Sequence, residues 1–107
     1  MIENTTIFSE WHIQEMEMWN ADYFNMEVQA YIKVNQELKG KFQFGLVTGQ
    51  MNGKMIDDKY EFIWEGNDEN DEAHGSGWLK IKDNNMIEGE FRFYEGDNSK
   101  FIAKRYK

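Results

Sequence analysis

The sequence predicts an all-β protein, a curved antiparallel meander of seven or eight strands that forms a small barrel or half-barrel. Apolar and polar residues alternate through several stretches, of which the clearest are 26–35, 59–65 and 87–93, and in the second of these only Ile63 breaks the polar side. Side chains on a β-strand point to opposite faces in turn, so this alternation predicts a sheet with one dry face and one wet face. No stretch has the pattern of a long amphipathic helix, so the sheet must cover its own apolar face by curling.

Turn-forming residues divide the chain into strands, which we place at 7–18, 26–35, 39–48, 50–56, 59–65, 75–82, 86–94 and 100–106. The breaks contain Asn, Asp and Gly, residue types that tolerate the left-handed backbone of tight hairpins. Examples are Asn20-Ala21-Asp22, Asp83-Asn84-Asn85 and Gly96-Asp97-Asn98. The stretch 19–26 is a candidate for one helical turn. The whole chain of 107 residues fits a single domain.

The stretch 45–53 is ambiguous because Gly45, Gly49 and Gly53 recur every four residues. Asn52-Gly53 is a good hairpin dipeptide. Alternatively, one long strand bends sharply with glycines at its kinks. We expect a single kinked strand, or two strands with a bulge at Gly49.

The apolar side of the alternation names the residues that should form the core. The predicted core consists of Ile13, Val28, Ala30, Ile32, Phe42, Phe44, Leu46, Phe62, Trp64, Leu79, Ile81, Ile87, Phe91, Phe93 and Phe101.

The charge and composition restrict the classes of partner. The net charge is −8, which disfavours nucleic acid and anionic membranes, because both are bound through Lys and Arg, and permits a basic protein partner. The chain has no Cys, and no stretch approaches the ~20 apolar residues that span a bilayer. Its first ten residues lack the features of a signal peptide, so we expect a cytoplasmic protein. A half-barrel would expose strand edges that a homodimer could cover.

The candidate ligand-binding residues are Trp11, Glu15, Glu17, Trp19 and Trp64. Glu15 and Glu17 share one face of the first predicted strand with the tryptophans at 11 and 19. If that face points inward, two carboxylates lie in an aromatic-lined cavity, where burial would raise their pKa. If the alternate residues Met16 and Met18 point inward, the two glutamates lie outside. Both faces of this strand carry large apolar residues, so the alternation does not determine which face points inward. Unpaired buried charges are rare, which favours the outward orientation of the two glutamates.

Three functional hypotheses follow. A small apolar or aromatic ligand could bind at the barrel mouth near Trp11, Trp19, Trp64 and Trp78, although such rings more often fill a barrel of this size. The acidic stretch 65–72 (EGNDENDE) and the net charge favour an interaction domain of the inhibitor or immunity type that binds a basic protein. An enzyme that uses Glu15 and Glu17 ranks third.

No metal or cofactor is predicted. The stretch 65–72 lacks the Gly and Glu positions of an EF-hand, so we expect a solvated acidic hairpin. His12 and His74 are the only histidines, and nothing in the sequence brings them together.

Several motifs together resemble a group of small uncharacterised bacterial proteins of about this length. They are Trp11-x-Ile13-x-Glu15-Met16-Glu17-Met18-Trp19, Phe42-x-Phe44-Gly45, Phe62-x-Trp64-Glu65-Gly66-Asn67-Asp68-Glu69-x-Asp71, Gly75-x-Gly77 and Gly96-Asp97-x-Ser99-x-Phe101. The resemblance covers residues 11–104 and implies a bacterial, cytoplasmic, single-domain protein. It implies no activity, ligand or partner.

Overall fold

The computed structural model describes residues 6–83 and 85–106, and these residues form a closed barrel of eight antiparallel strands in chain order. The predicted all-β meander is therefore confirmed, with eight strands and full closure. The elements are β1 (Glu10–Met16), α1 (Ala21–Phe24), β2 (Tyr31–Val34), β3 (Lys39–Phe44), β4 (Val47–Ile56), β5 (Lys59–Asp68), β6 (Asp71–Asp83), β7 (Met86–Phe93) and β8 (Asn98–Arg105). Pairing between β8 and β1 closes the barrel.

Rings packed against glycines fill the interior of the barrel. A Cβ added to Gly49 would lie 2.6 Å from the ring of Phe42, and one added to Gly77 would lie 2.6 Å from the ring of Phe62. An eight-stranded barrel has room inside for little more than its own side chains. Glycine on one strand therefore provides the space that an aromatic ring on the neighbouring strand occupies.

The glycine-rich stretch 45–53 forms a hairpin turn at Gly45 and Leu46 and belongs to the single strand β4 afterwards. Gly45 has φ +58, which glycine adopts without strain, and its hairpin partner Leu46 is half-buried in the turn. Beyond this turn, β4 pairs with both neighbours without a register shift. The expectation of one kinked strand, or of a bulge at Gly49, is therefore wrong. The glycines at 49 and 53 instead leave room for aromatic rings of the core, those of Phe42 and Tyr60.

The segment 17–30 crosses from β1 to β2 and contains the predicted helical turn. Asn20 caps α1, because its side-chain Oδ1 accepts a hydrogen bond of 3.2 Å from the backbone N–H of Tyr23. The strand predicted at 26–35 begins only at Tyr31, so its first five residues were assigned wrongly. Met26 and Val28 alternate with polar residues, but both are exposed, and Val28 does not belong to the core.

The remaining predicted core is confirmed except at three half-buried positions, Leu46, Ile81 and Phe93. Leu46 lies in the hairpin turn. Ile81 adjoins a register shift between β6 and β7, which interrupts the alternation of that strand. Phe93 is the last residue of β7 and packs against the core from the edge of the barrel.

Candidate functional site

A bulge in β1 determines which of its side chains enter the barrel. The pairing of β1 with β8 shifts register between Ile13 and Glu15. Because one extra residue is inserted there, Trp11, Ile13 and Met16 are all buried, although strict alternation cannot place all three on one face. Met16 therefore points into the barrel and Glu15 points outward, as the outward orientation of the glutamates predicted.

Trp11 and Trp64 are interior residues. Trp11 is fully buried, and its Nε1 donates a 3.0 Å hydrogen bond to the carbonyl oxygen of Ile7. Trp64 is 3% exposed, and its Nε1 donates a 3.2 Å hydrogen bond to the carbonyl oxygen of Arg92. Both indole N–H groups are thus satisfied by backbone, as expected of tryptophans that serve as packing residues.

Trp19 lies across one mouth of the barrel. Its half-buried ring is 5.3 Å from the ring centroid of Phe44, 5.9 Å from that of Phe93 and 6.0 Å from that of Tyr23. The ring of Trp19 therefore forms the outer layer of the aromatic core at this mouth. The five candidate residues are consequently not brought together: two are interior, one covers the mouth, and two glutamates are outside.

Glu15 and Glu17 line a groove of about 410 Å³ on the outer wall between β1, β8, β7 and β6. Trp78 lies in the same groove, with its Nε1 donating a 3.3 Å hydrogen bond to Glu90 Oε1. Glu17 Oε1 accepts a 3.2 Å hydrogen bond from the backbone N–H of Lys100. The sequence singled out these glutamates, but it could not place them beside Trp78, because the register of β1 against β8 depends on the bulge.

The end of the barrel that Trp19 covers is acidic. This acidic end, as we call it below, comprises the connections and adjoining strand termini at 17–30, 45–46, 67–72 and 94–97. These segments contain no Lys or Arg and carry nine of the 20 carboxylates of the chain, namely Glu17, Asp22, Glu27, Asp68, Glu69, Asp71, Glu72, Glu95 and Asp97. The sequence showed only the cluster at 65–72. The other carboxylates are far from it in the chain, and the strand order of the meander brings them to the same end of the barrel.

Large apolar side chains are exposed among these carboxylates. Tyr94 is 66% exposed and stacks on His74 with ring centroids 4.8 Å apart. Met18, Met26 and Val28, all in the segment that crosses this end, are also exposed. The acidic end therefore combines negative charge with accessible apolar surface.

An exposed acidic hairpin is confirmed at the β5–β6 turn, where Glu69 adopts φ +61 and residues 67–72 are exposed. The predicted strand ends at 65 and 75 are wrong, because β5 continues to Asp68 and β6 begins at Asp71. Its neighbour His74 pairs with Glu65 across the two strands. His12 lies in β1, where its Nε2 is 3.2 Å from Glu10 Oε2 and its ring stacks on Tyr106 at 4.2 Å. Within residues 6–83 and 85–106, no group of three or more His, Cys, Asp or Glu side chains is arranged to hold a metal ion.

Comparison with protein-family models, with curated proteins and with solved structures finds no match to this chain. In the part of the chain that the structure describes, no helix has the length and apolar character needed to cross a membrane.

Proposed function

We propose that this protein is a non-enzymatic interaction domain that binds a basic protein through its acidic end. The observation that carries the proposal is the concentration there of nine carboxylates, with no Lys or Arg in the same segments. A surface of one sign raises the rate of association with a partner of opposite sign and suppresses wrong partners.

The exposed apolar residues at the same end support a protein partner over a small cation. Tyr94, Met18 and Met26 belong to residue types that are enriched at the centres of protein interfaces. Carboxylates around them match the polar rim of such an interface. A basic protein with an apolar patch at the centre of its contact surface would complement both features.

Site-specific cross-linking in the native host tests this proposal. The photoreactive residue p-benzoylphenylalanine is introduced in place of Tyr94 at the acidic end or of Tyr106 at the opposite end. The two tyrosines are a matched pair, because they are 66% and 58% exposed. We expect a basic protein to be cross-linked from position 94 and not from position 106.

Charge neutralisation supplies the second arm of the experiment. The quadruple variant Asp68→Asn, Glu69→Gln, Asp71→Asn, Glu72→Gln should reduce the cross-link from position 94 at least tenfold. The control variant Glu37→Gln, Asp57→Asn, Asp58→Asn, Glu61→Gln removes the same charge away from the acidic end and should retain the cross-link. Identical cross-links from both tyrosines, or equal losses in both variants, would contradict the proposal.

A small apolar or aromatic ligand is the second candidate function, and the groove beside Trp78 favours it. That groove has an apolar side in Trp78 and Ile102 and a charged side that includes Glu15 and Lys100. Its volume of about 410 Å³ lies within the usual range of small-molecule sites. A titration with indole followed at the amide NMR signals of Lys80 and Ile102, compared between the native chain and Trp78→Phe, tests it: saturable shifts lost in the variant would support a ligand site.

A further inference from the structure

A groove on the outer wall of β2, β3 and β4 collects three lysines in this otherwise acidic protein. It has a volume of about 280 Å³ and is lined by Lys33, Asn35, Lys39, Gly40, Lys41 and Gln50. No carboxylate lies among these lining residues, although the chain has 20 Asp and Glu against 12 Lys and Arg. We call this surface the lysine groove.

The strand register places the lysines together. Lys33 of β2 is directly opposite Lys41 of β3, and Lys41 is in turn opposite Gln50 of β4. Lys39 and Lys41 flank Gly40, so both side chains point to the outer face of β3. Like charges that face each other across two strands destabilise a sheet. A negative group bound between these lysines would offset this repulsion.

The protein itself neutralises only one of these lysines. Lys33 Nζ is 3.6 Å from Glu10 Oε1 on β1. No carboxylate of residues 6–83 and 85–106 is within 4.0 Å of the ammonium group of Lys39 or Lys41. Neither of these two lysines therefore forms an ion pair with a described residue, although Glu65 lines the adjoining grooves together with each of them.

Two amides complete the set of donors. Asn35 Oδ1 already accepts the backbone N–H groups of Glu37 at 2.9 Å and Lys39 at 3.2 Å, which leaves its NH₂ group as the donor. Gln50, opposite Lys41, supplies a second amide. Ammonium and amide donors around a groove of this size match a phosphate group, which accepts several hydrogen bonds and carries close to two negative charges at neutral pH.

We propose that the lysine groove binds a small phosphate-bearing anion, with Lys39 and Lys41 as the charge partners and Asn35 and Gln50 as hydrogen-bond donors. The site lies on the outer wall towards the end opposite the acidic end, so it is independent of the partner surface proposed above. At physiological salt the Debye length is about 8 Å, so the acidic end does not prevent a small anion from reaching this wall.

A titration followed by amide NMR tests the proposal. Inorganic pyrophosphate is the probe, and sodium chloride keeps the ionic strength constant. We expect saturable shifts of the amide signals at 33–41 and 50, at millimolar or lower pyrophosphate. Lys41→Gln should weaken the binding at least tenfold, whereas Lys54→Gln, which removes an exposed lysine from β4 outside the groove, should leave it unchanged.

The thermal midpoint provides a second readout. Lys41→Gln should raise the midpoint of the free protein, because it removes the opposed Lys33–Lys41 pair, and should abolish the rise produced by pyrophosphate. The proposal is overturned if chloride at matched ionic strength causes the same shifts, or if Lys41→Gln binds pyrophosphate as the native chain does. A concentration-dependent self-association that Lys41→Gln abolishes, without pyrophosphate binding, would instead assign the groove to the acidic end of a second copy and also overturn it.

Discussion

The β5–β6 hairpin and the β1–β2 crossover are built from similar residues but are organised differently. β5 and β6 pair through ten consecutive positions, from Lys59 opposite Lys80 to Asp68 opposite Asp71. β1 and β2 pair at only three positions, and 14 residues with a short helix connect them. The hairpin is a regular ladder, whereas the crossover is organised by a helix cap and side-chain hydrogen bonds and follows a bulge in the pairing of β1 with β8.

The difference arises from where each segment carries its large apolar residues. In β5 the inner face carries Tyr60, Phe62 and Trp64, and the outer face carries one large apolar residue, the exposed Ile63. In and after β1 they occupy both faces, so no single register buries them all. The closing strand β1 therefore contains a bulge. We expect the hairpin to be the more stable region and the crossover the less stable one.

The largest expected difference is between two tryptophans, one from each region. Trp64 in β5 is 3% exposed, and Trp64→Ala should cost about 4 kcal/mol of unfolding free energy. Trp19 in the crossover is half-buried, so Trp19→Ala should cost about half as much. Urea denaturation measures both values. Equal losses of unfolding free energy would mean that Trp19 contributes to the core as much as Trp64 does. The expected difference in stability between the crossover and the hairpin would then be contradicted.

A second comparison concerns glycines. A Cβ at Gly66 in β5 would overlap the carbonyl oxygen of Thr48, so Gly66→Ala must move backbone and should cost about 3 kcal/mol. At Gly96, in the β7–β8 turn, the nearest atom would be Phe93 Cβ at 3.0 Å, and the next lies at 3.8 Å. Gly96→Ala should therefore change the unfolding free energy by less than about 1 kcal/mol. Thermal denaturation of the two variants measures this difference. Similar midpoints would contradict the close approach of the two strands at Gly66.

Sequence periodicity predicted the ladder well and the crossover badly for a physical reason. Phe42 and Phe62 lie on strands whose alternation is unbroken, and Leu79 precedes the register shift in β6, so each could be placed in the core from its spacing alone. A bulge changes the face of every following residue, and nothing in the local sequence marks its position in β1. For the same reason Glu15 and Glu17 could be named as candidates but not oriented.

The candidate surfaces depend on the barrel topology, and this limited what the sequence could predict. The stretch 65–72 was visible as an acidic cluster, but Glu17 and Asp97 join it only because the meander returns to the same end. Lys33 and Lys41 are likewise eight positions apart and meet through the β2–β3 register. Local patterns identify strands and charges, whereas a surface assembled from several strands requires their register.

Alkaline pH should weaken the ladder through Tyr60. Burial raises the pKa of the Tyr60 phenol from 10.0 to about 12, and its hydroxyl donates a 2.7 Å hydrogen bond to the carbonyl oxygen of Leu38. The folded protein holds this proton more tightly than the unfolded chain, so the stabilisation is fully present below pH 10 and is lost as the pH rises to about 12. The difference corresponds to roughly 2–3 kcal/mol.

Tyr60→Phe is the matched control for this pH dependence. It keeps the ring and should cost about 1 kcal/mol at neutral pH through the lost hydrogen bond. The loss of stability between pH 10 and 12 should become shallower in this variant by the contribution of Tyr60. An unchanged slope would show that the other tyrosines account for the alkaline loss.

A small effect is also expected in the crossover, where the side chain of Asn25 organises the approach to β2. Asn25 Oδ1 accepts a 2.8 Å hydrogen bond from the N–H of Ala30, and the carbonyl oxygen of Ala30 accepts a 2.9 Å hydrogen bond from the N–H of Ile13. Asn25→Ala leaves a backbone donor without its partner beside a buried residue and should cost about 1 kcal/mol. Hydrogen exchange should accelerate at Ala30 and Ile13 while the amides of Phe62 and Leu79 stay protected. If all four accelerate equally, the crossover and the ladder unfold as one unit, and the difference between them is one of geometry alone.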